Sequence, residues 1–535
     1  MCVHANVMKN TFDQSTLQRP MNIKIYLLLL LAFTACALPS AEKNSSPPNI
    51  VFMMSDDHTS QAWGIYGGVL EQYAKNENIK RLSQSGVVLD NTFCTNSICV
   101  PSRASILTGQ YSHRNGVYTL SDGLDSERQN VAKILQKSGY QTALIGKWHL
   151  KNKPSGFDYF NVLPGQGRYH NPVLKDSQNW EDGQKGGKVY PGFSADVIME
   201  ESLKWLEGRD PHKPFMIMTH FKATHEPFDY PDRYKELFKN DTFPEPASLL
   251  EFDPAQSDRK FEGQILEILA ERWRNASKNK NSVYPDLPFD TSGMDSVQIR
   301  KMTYQKLVRD FLRSAAAIDD NIGKMLDYLD EKGLAENTVV IYTADQGYFL
   351  GEHGMFDKRM FLEESARMPF VIRYPTEVPS GNRLKDLVLN IDFPVLILDY
   401  AGINAPESFQ GKSFRKNLTG HTPPQWRKSM YYRYYAHALN RPAHLGIRTH
   451  RYKLIFYYGL SLGMNGTYTE EAFPPAWAFY DLQEDPKELQ NQYDNPKFQN
   501  IIKTLKSELI GLRNQYGDQE TDGEDMKRVL EEYWD

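Results

Sequence analysis

A chain of 535 residues with 40% apolar and 24% charged residues can bury one large core or two. Its formal net charge of −5 excludes a general nucleic-acid binder, which carries a basic footprint. Four cysteines over this length exclude a disulfide framework, so stability must rest on the core.

The first twenty residues have no export character, and Met21 reads as the start. Met21–Leu38 has a small positive region at Lys24 and an apolar run too short to span a bilayer, the pattern of an export signal. Its ending, Phe33-Thr-Ala-Cys36, resembles a bacterial lipobox. Cys36 is then the lipidated first residue of the mature chain; plain cleavage to a soluble periplasmic or secreted protein is the alternative. Residues 1–36 are thus expected to be leader and lipoprotein signal and 37–48 a linker. The expected location is the periplasm or the outer-membrane surface.

Next comes N-I-V-F-M-M-S-D-D-H (49–58), an apolar run typical of a strand buried on both faces. It ends in Asp56-Asp57. Adjacent carboxylates are costly to bury unless a cation lies between them, and a hard divalent ion suits them. A solvated turn with a capping Asp is the plainer reading of the pair alone.

The stretch N-S-I-C-V-P-S-R-A-S-I-L-T-G (96–109) places Cys99 just before a Pro-Ser-Arg helix start at Pro101. The helix dipole and Arg103, one turn on, both favour a thiolate or an anionic ligand there. A small buried apolar cysteine is the simpler alternative. Cys94 reads as buried and unreactive.

Apolar runs recur at 142–150, delivering Lys147 and His149, at 214–227, delivering His225, and at 338–347, delivering Asp345 and Gln346. Helical patterns alternate with them near 127–138, 195–208 and 296–332, the last closing at Gly333. This alternation predicts an α/β fold, a mostly parallel sheet with helices on both faces and a site beyond the strand ends. A charged insertion near 226–295, with Tyr230, Arg233, Tyr234, Arg272 and Trp273, is a candidate binding loop, though 262–275 looks helical. Arg168-Tyr169-His170, in a Gly-rich loop, is a further candidate for ligand contacts. Strand-like runs at 427–435, 446–457 and 477–482 and a helix near 497–515 complete the chain.

The string C-x-P-S-R-x-x-I-L-T-G from Cys99 closely resembles the signature of the type I, formylglycine-dependent sulfatases of the alkaline-phosphatase-like superfamily, and the likeness spans about 48–535. It implies a large mixed, mostly parallel sheet flanked by helices over 48–400, and a small antiparallel sheet plus helix over 401–535. It implies that Cys99 is oxidised to formylglycine by a maturation enzyme, and that the hydrated aldehyde attacks sulfur. One calcium ion would be held by Asp56, Asp57, Asp345, Gln346 and the modified Cys99. Arg103 would hold the diol, Lys147, His225 and Lys358 would cradle the sulfate, and His149 would position or deprotonate the second hydroxyl. Asp345-Gln346 departs from the commoner Asp-Asn; glutamine keeps the amide oxygen one methylene further out.

G-E-H-G-M-F-D-K-R (351–359) resembles the form found in sulfatases acting on sugars. There His353 contacts substrate or orders the loop, and His437 and Arg441 reach over the pocket or form a surface turn. The expected substrate is a sulfated polysaccharide or its oligosaccharides, algal or glycosaminoglycan. A phosphonate or phosphodiester hydrolase is the alternative within the superfamily. A non-catalytic glycan-binding protein is disfavoured because Cys99, Arg103, Lys147, His149, His225 and Lys358 are all present.

Overall fold

The computed structural model describes residues 46–251, 262–279, 282–438, 440–467 and 473–535. The expected leader, the expected signal segment and Cys36 lie outside the described residues. Eight strands form the main sheet: β1 (Asn49–Asp56), β2 (Val87–Leu89), β3 (Gln141–Lys147), β4 (Tyr159–Leu163), β5 (Phe215–Thr224), β6 (Thr338–Ala344), β7 (Phe370–Arg373) and β8 (Asn382–Leu384). Their order across the sheet is β8-β2-β7-β6-β1-β5-β3-β4. Only β7 runs against its neighbours β6 and β2; the other pairings are parallel. This is the mixed, mostly parallel α/β sheet that the sequence predicts.

The central strands read as unbroken apolar runs because both faces are covered. Along β1, Ile50, Phe52 and Met54 enter one core and Val51 and Met53 the other. Helices α1 (Glu77–Gln84), α2 (Cys99–Thr108), α3 (Val131–Lys137), α4 (Ser194–Gly208), α5 (Leu266–Ser277), α6 (Ser296–Glu331) and α7 (Phe393–Tyr400) cover the two faces and the insertion. The 36-residue α6 starts in a capping box, with Asp295 accepting from the Gln298 N–H, and Gly333, in the left-handed region just beyond its end, follows it. Its Ile318, Ile322, Met325 and Leu329 pack against the second core.

Three boundaries differ from expectation. Helix α3 begins at Val131, not 127, where the Asn130 side chain caps it by accepting from Lys133 N–H. The run 446–457 is a hairpin of two strands, His444–Thr449 and Tyr452–Tyr457. The Thr449 hydroxyl accepts from the N–H groups of Arg451 and Tyr452 and closes the turn between them. Helix α2 starts at Cys99, two residues before the expected position. Pro101 is accommodated there because first-turn N–H groups need no intrahelical partner.

The hairpin belongs to a four-stranded antiparallel sheet, with Ser429–Tyr434 on one side and Ala476–Asp481 on the other. Helix α8 (Gln499–Tyr516) packs on it, and Leu445, Phe479 and Leu509 share one apolar core with Ile50 and Met218 of the main sheet. The acidic tail folds back as helix α9 (Glu524–Tyr533). No described helix is long and apolar enough to cross a membrane.

Buried charge ties the C-terminal segment down. Arg433 and Arg513 both donate to Asp518, at 2.8 and 2.9 Å, and all three side chains are essentially inaccessible. Asp518→Ala leaves two guanidiniums without that carboxylate. It is expected to lower unfolding stability by about 3–5 kcal/mol, read from denaturant midpoints. A loss below about 1 kcal/mol contradicts this.

Candidate functional site

Four adjacent strands of the sheet, β6, β1, β5 and β3, end on one side, and the ionisable groups that follow them converge there. Carboxylate oxygens of Asp56, Asp57 and Asp345 lie within 4.8 Å of one another, and all three residues are wholly buried. Asp56, Cys99 and His225 meet by the same measure. Asp57 sits in the left-handed region (φ 64°), which Asp tolerates better than most residues. Its N–H donates to Asp345 Oδ1 at 3.1 Å.

Cations surround the carboxylates. Lys147 Nζ donates to Asp56 and to Gln166 Oε1. Lys358 Nζ donates to Asp57 Oδ2 at 2.6 Å. Arg103 donates through Nε to Asp345 Oδ2 at 2.8 Å and through Nη1 to the Lys147 carbonyl at 2.8 Å. Burial opposes ionisation of Asp56, but Lys147, His225 and Arg103 hold its carboxyl well below the usual range. Burial and the like charges of Asp56 and Asp57 raise Asp345 to about 7, against the pull of Arg103.

Cys99 lies at the N-terminus of α2, and Gln346 Nε2 donates to its sulfur at 3.5 Å. Of the two species that the helix end favours, a thiolate or an anionic ligand, the thiolate does not form here. Burial and Asp56 push the thiol up despite Lys358 and Lys147, so the cysteine is neutral. Cys94 is a buried, free thiol, also pushed up by burial.

The donor set fits a hard divalent cation. Asp56 Oδ1 and Gln346 Oε1 are buried without a hydrogen-bond partner, oxygen ligands in a place too expensive to leave so. Turning the Gln346 amide presents Oε1 to Asp57, where Nε2 now donates. Asp345 titrates near 7 here against an ordinary 3.8, so its stabilising contribution is full below about pH 4 and is lost as pH rises through 7. A bound cation offsets that loss. Calcium is therefore expected to raise Tm more at about pH 8 than at about pH 5; equal shifts contradict the three-carboxylate site.

Two imidazoles border the site. His149, left-handed at φ 62°, has a buried Nδ1 with no hydrogen-bond partner, and burial beside Lys147 holds it well below its ordinary pKa. His225 Nδ1–H donates to the Glu226 carbonyl at 2.7 Å, leaving Nε2 3.8 Å from Asp57. The insertion reaches this edge: Arg272 and Tyr284 both donate to Glu226. Its other named residues do structural work. Trp273 is buried, Arg233 pairs with Asp196 and Asp320, and Tyr234 donates to Asp320.

His353 and His437 are not at an open surface. His353 is wholly buried, 3.6 Å from Glu364. His437 is buried against Phe473 and accepts from the Ala443 N–H. Arg441, also buried, reaches Asp357 at 3.1 Å, next to Lys358. Arg359 completes that cluster by donating to Asp357 at 2.9 Å.

Sequence reasoning missed Arg359, Asp357, Gln166 and Lys222. Lys222 is buried on β5 with its ammonium 4.7 Å from the Tyr169 ring centre, and burial beside Lys147 lowers it to about 7. The Tyr169 hydroxyl donates to the His225 carbonyl at 2.6 Å. Only the glycines around Gln166 signalled a special loop.

A family model described as "Sulfatase" matches residues 48–403, and one described as "N-sulphoglucosamine sulphohydrolase, C-terminal" matches 351–515. An N-acetylglucosamine-6-O-sulfatase of Bacteroides thetaiotaomicron is 36% identical, over 92% of this chain and 91% of its own. The human N-acetylglucosamine-6-sulfatase is 26% identical over 77% of this chain and 72% of its own. A structure solved with its substrate D-glucosamine-2-N,6-O-disulfate superposes with a TM-score of 0.78 at 35% identity, covering 90% of this chain and all of that one. A phosphonate monoester hydrolase of Silicibacter pomeroyi superposes at 0.67 over 88% of this chain and 96% of that one; at 20% identity it speaks for the fold alone.

Proposed function

We propose that this chain, a member of the sulfatase family and a sulfuric ester hydrolase, removes the 6-O-sulfate from glucosamine units of a glycosaminoglycan. We propose further that it does so after export, anchored through Cys36, with formylglycine at position 99 and one calcium ion. The observation that carries the reading is the conjunction of a complete buried site with relatives of 35–36% identity whose named substrates are glucosamine 6-sulfates.

Formylglycine would supply the nucleophilic hydroxyl, and calcium would neutralise sulfate oxygens. Asp56, Asp57, Asp345 and Gln346 are the residues to hold the ion. The chain's own groups do the rest. Lys147 and Lys358 are ammoniums fixed in advance by carboxylates, so they meet developing negative charge without reorganisation. Arg103 locks α2 to the ends of β3 and β6, fixing position 99 against the carboxylates. His225, its Nδ1–H committed to a carbonyl and its pKa held well below the ordinary value by burial, turns Nε2 toward the site beside Asp57 to position the bound ester. His149, held neutral, accepts a proton at Nδ1.

The test is positional. Protein matured with a formylglycine-generating enzyme is offered glucosamine and N-acetylglucosamine 6-sulfates, glucosamine 3-sulfate, galactose sulfates and an aryl phosphonate. The 6-sulfates are expected to turn over at least about a hundredfold faster than the rest. Preference for a galactose sulfate overturns the sugar assignment, and turnover of the phosphonate alone overturns the ester assignment.

A further inference from the structure

Beyond His149 the surface opens into a cavity of about 570 Å³, with a second of about 510 Å³ alongside. Pro164, Gln166 and Gln184 line both, so the two form one groove divided by the Gly165-Gln166-Gly167 loop. Both glycines are left-handed, at φ 56° and 67°. A Cβ on Gly165 would lie 2.2 Å from the Gln184 amide, and one on Gly167 2.9 Å from Leu163. The loop is thereby held so that Gln166 accepts from Lys147. The groove thus begins at a hydrogen bond of a sulfate-cradling cation.

Its walls carry the equipment for a sugar ring. The half-buried Trp180 offers an apolar face, with the Lys175 ammonium 4.3 Å from its ring centre. Lys175 is 1% exposed, and its Nζ donates only to the Glu181 and Gly183 carbonyls. Among the described residues no carboxylate oxygen lies within 4.0 Å of it. Burial lowers its pKa against the pull of Asp182, which also lines the cavity, and of Glu181; an ammonium so withdrawn from water is costly, and a ligand's negative charge brought into contact offsets that cost. The exposed Arg168 adds a second cation in the neighbouring cavity. Aromatic wall, amides and cations together suit a sugar with an anionic substituent.

We infer that this groove is a second sugar subsite, holding an acidic sugar unit joined to the one that loses its sulfate. Lys175 faces the anionic group, Arg168 adds positive charge in the adjoining cavity, and Trp180 walls the ring. The inference rests on the carbohydrate reading above. It makes chain length matter to the rate.

The experiment compares kcat/KM for glucosamine 6-sulfate with that for the disaccharide in which the same sugar is linked to a uronate. A carboxyl-reduced disaccharide and a sulfated uronate form separate arms. The disaccharide is expected to be preferred at least about tenfold, and reduction of the carboxyl to remove most of that preference. Rescue by the sulfated arm identifies sulfate as the recognised anion. Lys175→Met and Trp180→Ala are each expected to cut the disaccharide-to-monosaccharide ratio severalfold; Gln184→Ala replaces Trp180→Ala if that variant does not fold. A wild-type ratio near one, or a ratio unchanged in the variants while the monosaccharide turns over, overturns the subsite alone. Failure of every glucosamine 6-sulfate overturns the proposed function and the subsite with it.

Discussion

Cys99→Ala, matured alongside wild type, is expected to lose at least about 10⁴-fold in kcat/KM on an aryl sulfate while keeping the wild-type fold. The side chain is small and buried, and the hydrogen bond it gives up is the long one from Gln346 Nε2, so alanine costs little structure. The chemistry explains the size of the loss. In the structure the thiol is neutral, because burial and Asp56 outweigh Lys358 and Lys147. A neutral thiol is a poor nucleophile, which is why the proposed function gives position 99 its role only after conversion. Cys99→Ser is therefore expected to behave like alanine wherever the maturation enzyme leaves serine untouched. Mass spectrometry of the peptide spanning 96–109 checks conversion independently of rate. Activity within tenfold of wild type in Cys99→Ala contradicts the assignment.

Asp57→Ala is expected to lose about 10³-fold or more in kcat/KM and to abolish the rise in Tm on adding calcium. Its carboxylate accepts from both Lys358 and Gln346, and its backbone N–H holds Asp345. Truncation removes one oxygen ligand and strands a buried ammonium, so some loss of stability accompanies the loss of rate. Asp57→Asn separates the two effects. It keeps shape and an oxygen but not the charge, and it is expected to fold near wild type while binding calcium more weakly. A calcium-induced Tm shift in Asp57→Ala equal to that of wild type contradicts the assignment.

Much of this site is legible in the chain because the fold delivers it by a rule that sequence carries. A strand covered on both faces must be apolar throughout, so the polar residue that ends it stands out. Asp56, Lys147, His225 and Asp345 all follow such runs, and the parallel order of β6, β1, β5 and β3 brings them together. Burial of single polar residues is less legible. His353 and His437 each read as a substrate contact or as a loop or turn residue, and both are buried, packed against Phe349 and Phe473. The left-handed conformations of Asp57, His149, Asp357 and Arg359 aim side chains into the site, and nothing in residue type announces them. Pro101 misplaced the helix start by two residues, since the first-position preference is a tendency and the third position, whose N–H also lacks an intrahelical partner, admits proline too. Gln166 escaped notice because its role depends on two flanking glycines and a contact with Lys147 far along the chain.

The most direct test of the central claim is inorganic sulfate released from glucosamine 6-sulfate, measured by ion chromatography for matured wild type and matured Cys99→Ala side by side. The account predicts stoichiometric sulfate with the wild type and none above background with the variant. Sulfate release at equal rates from both, or none from a wild type whose Cys99 is shown by mass to be converted, would contradict it.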